Sequence, residues 1–237
     1  MTNTMTNKNL AVAREWVDQE WEPKDTLIDG YETDVESGWL FPLLLKLDSF
    51  IWGRWDYWGQ MALDGCIGTA PIPQIEFENV PHPKVMKMLN NCIQNVGSGV
   101  SQYTAMEYFL DWLLYGFGKS VVRPKEPEPG AFDRIYQLFC LDAILAFPFD
   151  YLGHLFSEQQ HGKYSAFFPT PLSVCLLMAG ITYDEGVDNR TKTCYDPAVG
   201  TGRTLLLASN HCLRLSGQEI DILIHKACEI NMWFYAP

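Results

Sequence analysis

Positive charge is what this sequence has least of. Lys and Arg together number 17 against 29 Asp and Glu, a formal net charge of −12 over 237 residues. Surfaces that grip nucleic acid are basic, so the bulk charge carries no electrostatic footprint for DNA or RNA and reads as that of an ordinary acidic protein. Cysteine is present but scattered. The seven thiols, at 66, 92, 140, 175, 194, 212 and 228, form no C-x-x-C pair and are odd in number. That pattern excludes a disulfide framework and a zinc site, and it fits a reducing cytosol. The five histidines have no ligand spacing. No metal is expected, and a cytoplasmic location is. No apolar run approaches the ~18 residues that a membrane span needs. The longest candidate, around Leu110–Phe117, is too short, and the polar start from Met1 to Leu10 is not a signal peptide. What remains is ample: 47% hydrophobic and 14% aromatic residues can build a real core, in one large or two small domains.

The pattern of residues changes along the chain. An amphipathic stretch from Val12 to Trp21 predicts an N-terminal helix. Four of the eight tryptophans, Trp39, Trp52, Trp55 and Trp58, crowd with Phe41, Phe50 and Tyr57 into residues 38–61. That cluster reads first as a core or interdomain contact, with a base-stacking platform as the alternative. Pro71, Pro73, Pro81 and Pro83 mark a loop, as does 124–130, Pro-Lys-Glu-Pro-Glu-Pro-Gly. Tyr103, Met106, Leu110, Leu113, Leu114 and Phe117 fall at helical spacing, and so do Phe132, Ile135, Phe139 and Ala143. From about residue 150 short strand-like runs alternate with helices. Strands are expected at Thr193–Tyr195 and Leu215–Ile220, and helices at Arg203–Leu213 and Ile222–Phe234. Strand, helix, strand, helix is the opening of a parallel doubly wound sheet. The expected fold class is therefore α/β, with a helical domain over 1–150 and an α/β domain over 151–237.

The most informative stretch is Tyr195-Asp196-Pro197-Ala198-Val199-Gly200-Thr201-Gly202. It places a carboxylate and a glycine turn at the carboxyl end of a strand, where open α/β sheets bind ligands. Glycines there permit a tight turn and close approach of a ligand to the backbone. The loop is not a phosphate loop of the G-x-x-x-x-G-K-[ST] kind. Nor is it a dinucleotide fingerprint, whose third glycine is replaced by Leu205. Asp196 would repel a phosphate but suits a cationic ligand, such as the sulfonium and ammonium of S-adenosyl-L-methionine. Glu219 follows 23 residues after Asp196 at the expected end of the next strand, where a carboxylate can accept both hydrogen bonds of a ribose diol. Asp221, just ahead of a helix, reads as its N-cap. Upstream, in Gly162-Lys163-Tyr164-Ser165-Ala166-Phe167-Phe168-Pro169-Thr170-Pro171, Thr170 reads as an N-cap with proline at the first helical position.

Taken together, and in this order, the three segments resemble motifs X, I and II of the adenine-specific DNA methyltransferases, in the group with type I modification subunits and phage or plasmid adenine methylases. The resemblance covers roughly residues 145–237. It implies a Rossmann-like methyltransferase domain over 151–237 that binds S-adenosyl-L-methionine. The implied contacts are Asp196, Ala198, Gly200 and Gly202 at the methionine end and Glu219 at the ribose, with Phe167, Phe168 and Thr170 closing the pocket. The extra Pro169 between the aromatics and Thr170 leaves open which phenylalanine meets the cofactor. DNA as a partner follows from the resemblance alone, not from charge.

Methylating an exocyclic adenine amine needs an acceptor for its hydrogens and an aromatic face for the flipped base. The family supplies these with Asn/Asp-Pro-Pro-Tyr/Phe, and the sequence contains no such tetrapeptide. Pro148-Phe149-Asp150-Tyr151 has the wrong order. No catalytic residue is therefore assigned. The expectation is a truncated domain, with two or three of about seven strands and a second polypeptide completing catalysis. A catalytically inactive methylase-like module kept for interaction or regulation stays open beside it. A small-molecule or protein methyltransferase fits the motif wording less well.

Overall fold

The computed structural model describes residues 2–158, 167–183 and 186–237, with side chains from residue 8 onward. It is a mixed α/β chain, mostly helical, with a small two-stranded parallel sheet. The helical part comprises α1 (Thr2–Glu15), α2 (Leu40–Ile51), α3 (Arg54–Asp64), α4 (Pro83–Gln94), α5 (Gln102–Gly116), α6 (Ala131–Leu138), α7 (Leu141–Ala146) and α8 (Tyr151–Glu158). After it come α9 (Leu172–Thr182), β1 (Thr193–Asp196), α10 (Arg203–Ala208), β2 (Arg214–Gly217) and α11 (Ile222–Tyr235). Among the described residues no helix is long and apolar enough to cross a membrane.

Local chemistry explains most of the element boundaries. Ser101 caps α5, its Oγ accepting from the Thr104 amide at 3.2 Å. Proline in the first turn starts α4. Asp221 caps α11 as expected, with Oδ1 accepting from Leu223 N and Ile224 N at 2.9 and 3.2 Å. Two expectations shift. The N-terminal helix begins well before Val12, and its end widens into a π-turn over Trp16–Glu20, where Trp21 N bonds Trp16 O at 2.8 Å. The helix expected through Phe132–Ala143 is broken at Phe139 and Cys140, which are both extended. The break lets Phe139 meet Trp112 edge-on at 5.4 Å.

The tryptophan-rich segment behaves as a contact between the helical part and α11. Trp55 stacks on Trp233 at 5.5 Å, Trp233 stacks on Phe117 at 5.4 Å, and Trp55 Nε1 donates to Trp233 O. Arg54, buried at the start of α3, gives hydrogen bonds to Pro73 O, Ser209 Oγ, Tyr235 O and Asn210 Oδ1. It thereby satisfies a carbonyl at the carboxyl end of α11, where helix carbonyls lack partners, and ties it to two side chains just past α10. One hydrophobic cluster runs from Val17 through α5 to Ala236. The helical and α/β segments thus share a core across residue 150.

Candidate functional site

β1 and β2 pair in parallel, Thr193 opposite Arg214 and Asp196 opposite Gly217, joined through α10. β2 is shorter than expected and ends at Gly217. The chain then turns, Gln218 N donating to Asp196 O and Val199 N to Gln218 O, both at 2.9 Å. Glu219 therefore stands on the turn two residues past the strand rather than at its end. This turn and the glycine loop face each other at the carboxyl end of the sheet.

Between them lies a cavity of about 320 Å³, at the lower end of the range for ligand pockets, roughly 300–1,000 Å³. Its walls bring together Phe167, Phe168, Thr170, Asp196, Ala198, Gly200 and Glu219, which come from three separate stretches of sequence. Of the expected contacts, Gly202 alone is not a wall. It sits behind the loop at φ +96°, and a Cβ there would come within 2.8 Å of Met232 Cε and 3.0 Å of Cys228 Sγ. Glycine is needed at 202 for packing against α11. Gly200, at φ +58°, faces Phe167, whose ring lies 3.3 Å from where its Cβ would be. The two phenylalanines differ sharply: Phe167 is half-buried and meets Phe156 edge-on at 6.1 Å, whereas Phe168 is 83% exposed.

Both carboxylates are already oriented by the backbone. Asp196 Oδ1 accepts from Ala198 N at 3.0 Å and its Oδ2 from the Thr204 hydroxyl. Glu219 Oε2 accepts from Gly200 N at 3.1 Å, and Oε1 from Ile220 N and Asp221 N at 2.8 and 3.0 Å. A carboxylate has about four lone-pair positions. Among the described contacts, Asp196 therefore keeps two open for a ligand and Glu219 keeps one, on Oε2. A diol at Glu219 would donate to that position and compete with the Gly200 amide for Oε2.

Thr170 does not cap α9. The helix starts at Leu172 behind Pro171, whose carbonyl accepts from Val174 N and Cys175 N. Thr170 instead offers its carbonyl to Arg203 Nη1 at 3.1 Å. Gly162 to Ala166, also part of the expected pocket-closing segment, lie outside the described residues.

Beneath the loop is a buried polar hub that sequence reading missed. Asp150 Oδ1 accepts from Gly153 N and Asn231 Nδ2, each at 2.8 Å, and Oδ2 from Thr201 Oγ1 and Arg203 Nε, each at 2.6 Å. Asn231 also donates to Thr201 O at 2.8 Å. Four donors satisfy a carboxylate that is 4% exposed. Gly153 is required beside it, since a Cβ would fall 2.1 Å from Asp150 Oδ2. The partners are spread over residues 150–231, so the only trace in the sequence is a carboxylate in an apolar run, Phe-Pro-Phe-Asp-Tyr.

The thiols near the loop are inert. Burial pushes Cys228 up to about 12, with Asp150, Asp196 and Glu219 adding to the effect, and burial also raises Cys175. Neither is a nucleophile at neutral pH. A larger hollow, about 570 Å³, lies between β2 and α11. Its Lys119 and Glu229 pair with each other at 2.5 Å, and the convergent, ligand-ready carboxylates are at the glycine loop instead. The loop cavity can thus hold a molecule with a cationic centre near Asp196, a hydroxyl at Glu219 and an apolar face against Phe167. No protein-family model, curated protein or solved structure matches this chain.

Proposed function

We propose that the loop cavity binds S-adenosyl-L-methionine and that the chain is the cofactor-binding portion of an adenine-specific DNA methyltransferase. On this reading β1 and β2 open a Rossmann-like domain, and the residues that act on DNA lie outside these 237 residues. The observation that carries it is the convergence of seven residues, drawn from three motif-like segments, on one cavity of about 320 Å³. The chemistry of the walls fits the cofactor. Among the described contacts, Asp196 retains acceptor capacity for a cation and Glu219 for a ribose hydroxyl, and Phe167, packed on Gly200, gives an apolar face. When bound, the cofactor supplies an activated methyl group. The chain's own part is to orient it: the Ala198 and Thr204 donors fix Asp196, and the Gly200, Ile220 and Asp221 amides fix Glu219.

Calorimetric titration with S-adenosyl-L-methionine tests this. The wild type is expected to bind with one-to-one stoichiometry. Asp196→Ala is expected to weaken binding roughly tenfold to a hundredfold, as for a hydrogen bond to a charged group. Absence of binding by the wild type would refute the cofactor reading and leave the inactive, methylase-like module in its place.

A further inference from the structure

The walls of the loop cavity carry three charged side chains, and one of them is a cation. Asp196 and Glu219 are the acids and Arg203 is the base. Arg203 is the first residue of α10, and its side chain is only 14% exposed. Two hydrogen bonds fix the guanidinium: Nε to Asp150 Oδ2 at 2.6 Å and Nη1 to Thr170 O at 3.1 Å. A guanidinium has five N–H donors, so most of the fork is unspent among the described contacts. Its counter-charge is diluted, because Asp150 is shared with Thr201, Asn231 and the Gly153 amide. A mostly covered, pre-oriented arginine with donors unspent among the described contacts is the usual reader of a planar carboxylate.

We propose that Arg203 recognises the α-carboxylate of the bound ligand's amino-acid end, while Asp196 on the same wall takes its cationic groups. The cavity is then selective for a zwitterionic amino-acid moiety over an uncharged or purely cationic one. Arg203 becomes a specificity-determining residue, and Asp150, through Nε, is the residue that positions it. This assignment rests on the cofactor reading above and sharpens it to one end of the ligand.

The test is a cycle of two ligands and two proteins by calorimetry: S-adenosyl-L-methionine and its decarboxylated analogue against the wild type and Arg203→Gln. The wild type is expected to bind the decarboxylated analogue roughly tenfold to a hundredfold more weakly, the range of a charge-assisted hydrogen bond. Arg203→Gln is expected to bind both ligands alike, at the weaker level, and Arg203→Lys to recover part of the discrimination. A wild type that binds both ligands equally overturns the role of Arg203 while leaving the cofactor reading standing, and this result needs no variant to fold. A wild type that binds neither overturns both. An Arg203→Gln protein that still discriminates assigns the carboxylate to another group and overturns the proposal.

Discussion

Two helices of this chain are placed very differently, and the one more apolar in sequence is the less covered. α5 buries Met106, Phe109, Leu110, Trp112 and Leu113 against α4 and α11. α9 (Leu-Ser-Val-Cys-Leu-Leu-Met-Ala-Gly-Ile-Thr) buries only Cys175 and Ala179, and it leaves Leu177 62% and Ile181 73% exposed. α5 is held along its length by apolar contact. α9 packs on α10 and is tied near its two ends. At the start Arg203 bonds to Thr170 O, and at the far end Tyr183 stacks on His211 at 4.6 Å and contacts Cys212 Sγ at 3.4 Å. An apolar helix must find cover to gain hydrophobic free energy, but its sequence does not say where. In α9 the position is set by polar and aromatic ties beside the glycine loop, and most of its apolar surface stays exposed.

The largest expected effect comes from cutting the polar tie at its root. Asp150→Ala would leave the Arg203 guanidinium uncompensated and strand the Thr201, Asn231 and Gly153 donors. Breaking a buried pair in this way costs about 3–5 kcal/mol. Urea denaturation should show a loss of that size, together with loss of ligand binding. A change below about 1 kcal/mol would mean that α9 and the loop are held by something other than this hub.

Next in size is a direct contrast between the helices. Leu110→Ala in α5, at 0% exposure, should cost about 2–5 kcal/mol. Leu177→Ala in α9 should stay within about 0.5 kcal/mol, as surface substitutions do. The pair of urea midpoints checks this. Equal losses would break the comparison, because they would mean that Leu177 is covered in solution.

How much of this was legible in the sequence follows the same division. Local signals survived well: the Asp221 cap, the parallel strand–helix–strand order, and the convergence of Asp196, Glu219, Phe167 and Thr170 on one cavity. The first two depend on residues a few positions apart or on the order of elements, and the third on the order of three motif-like segments. Contacts between distant segments that no motif announces were not legible. Asp150, Thr201, Arg203 and Asn231 meet only after α8, α10 and α11 have packed, and a lone acid in Phe-Pro-Phe-Asp-Tyr offers no periodicity to read. Gly202 is a related case: a glycine near a ligand and a glycine against a neighbouring helix look the same in sequence, and only the position of Met232 and Cys228 shows the packing role. Thr170 lost its capping role because Pro171, already extended, passes its own carbonyl to the first turn of α9.

The smallest expected effect contrasts the two buried carboxylates. Asp150 has four donors. Asp48, 1% exposed in the helical part, is met only by backbone amides, that of Trp55 at 2.7 Å and, more weakly, that of Arg54. Burial pushes its pKa up to about 6 from 3.8, against the lowering effect of those amides and of the nearby Arg54 charge. Because the folded state holds the proton more tightly, between about pH 4 and pH 6 it binds more protons than the unfolded chain, and stability falls as pH rises through that window. A shift of about two units corresponds to at most about 3 kcal/mol. Asp48→Asn keeps an oxygen for the Trp55 amide and removes the titration. The variant should match the wild type near pH 4 and exceed it at pH 7, in chemical denaturation at the two pH values. A stability difference that does not change with pH would show that the Asp48 charge is compensated as fully as that of Asp150, and the contrast between a satisfied and a poorly satisfied buried acid would fail.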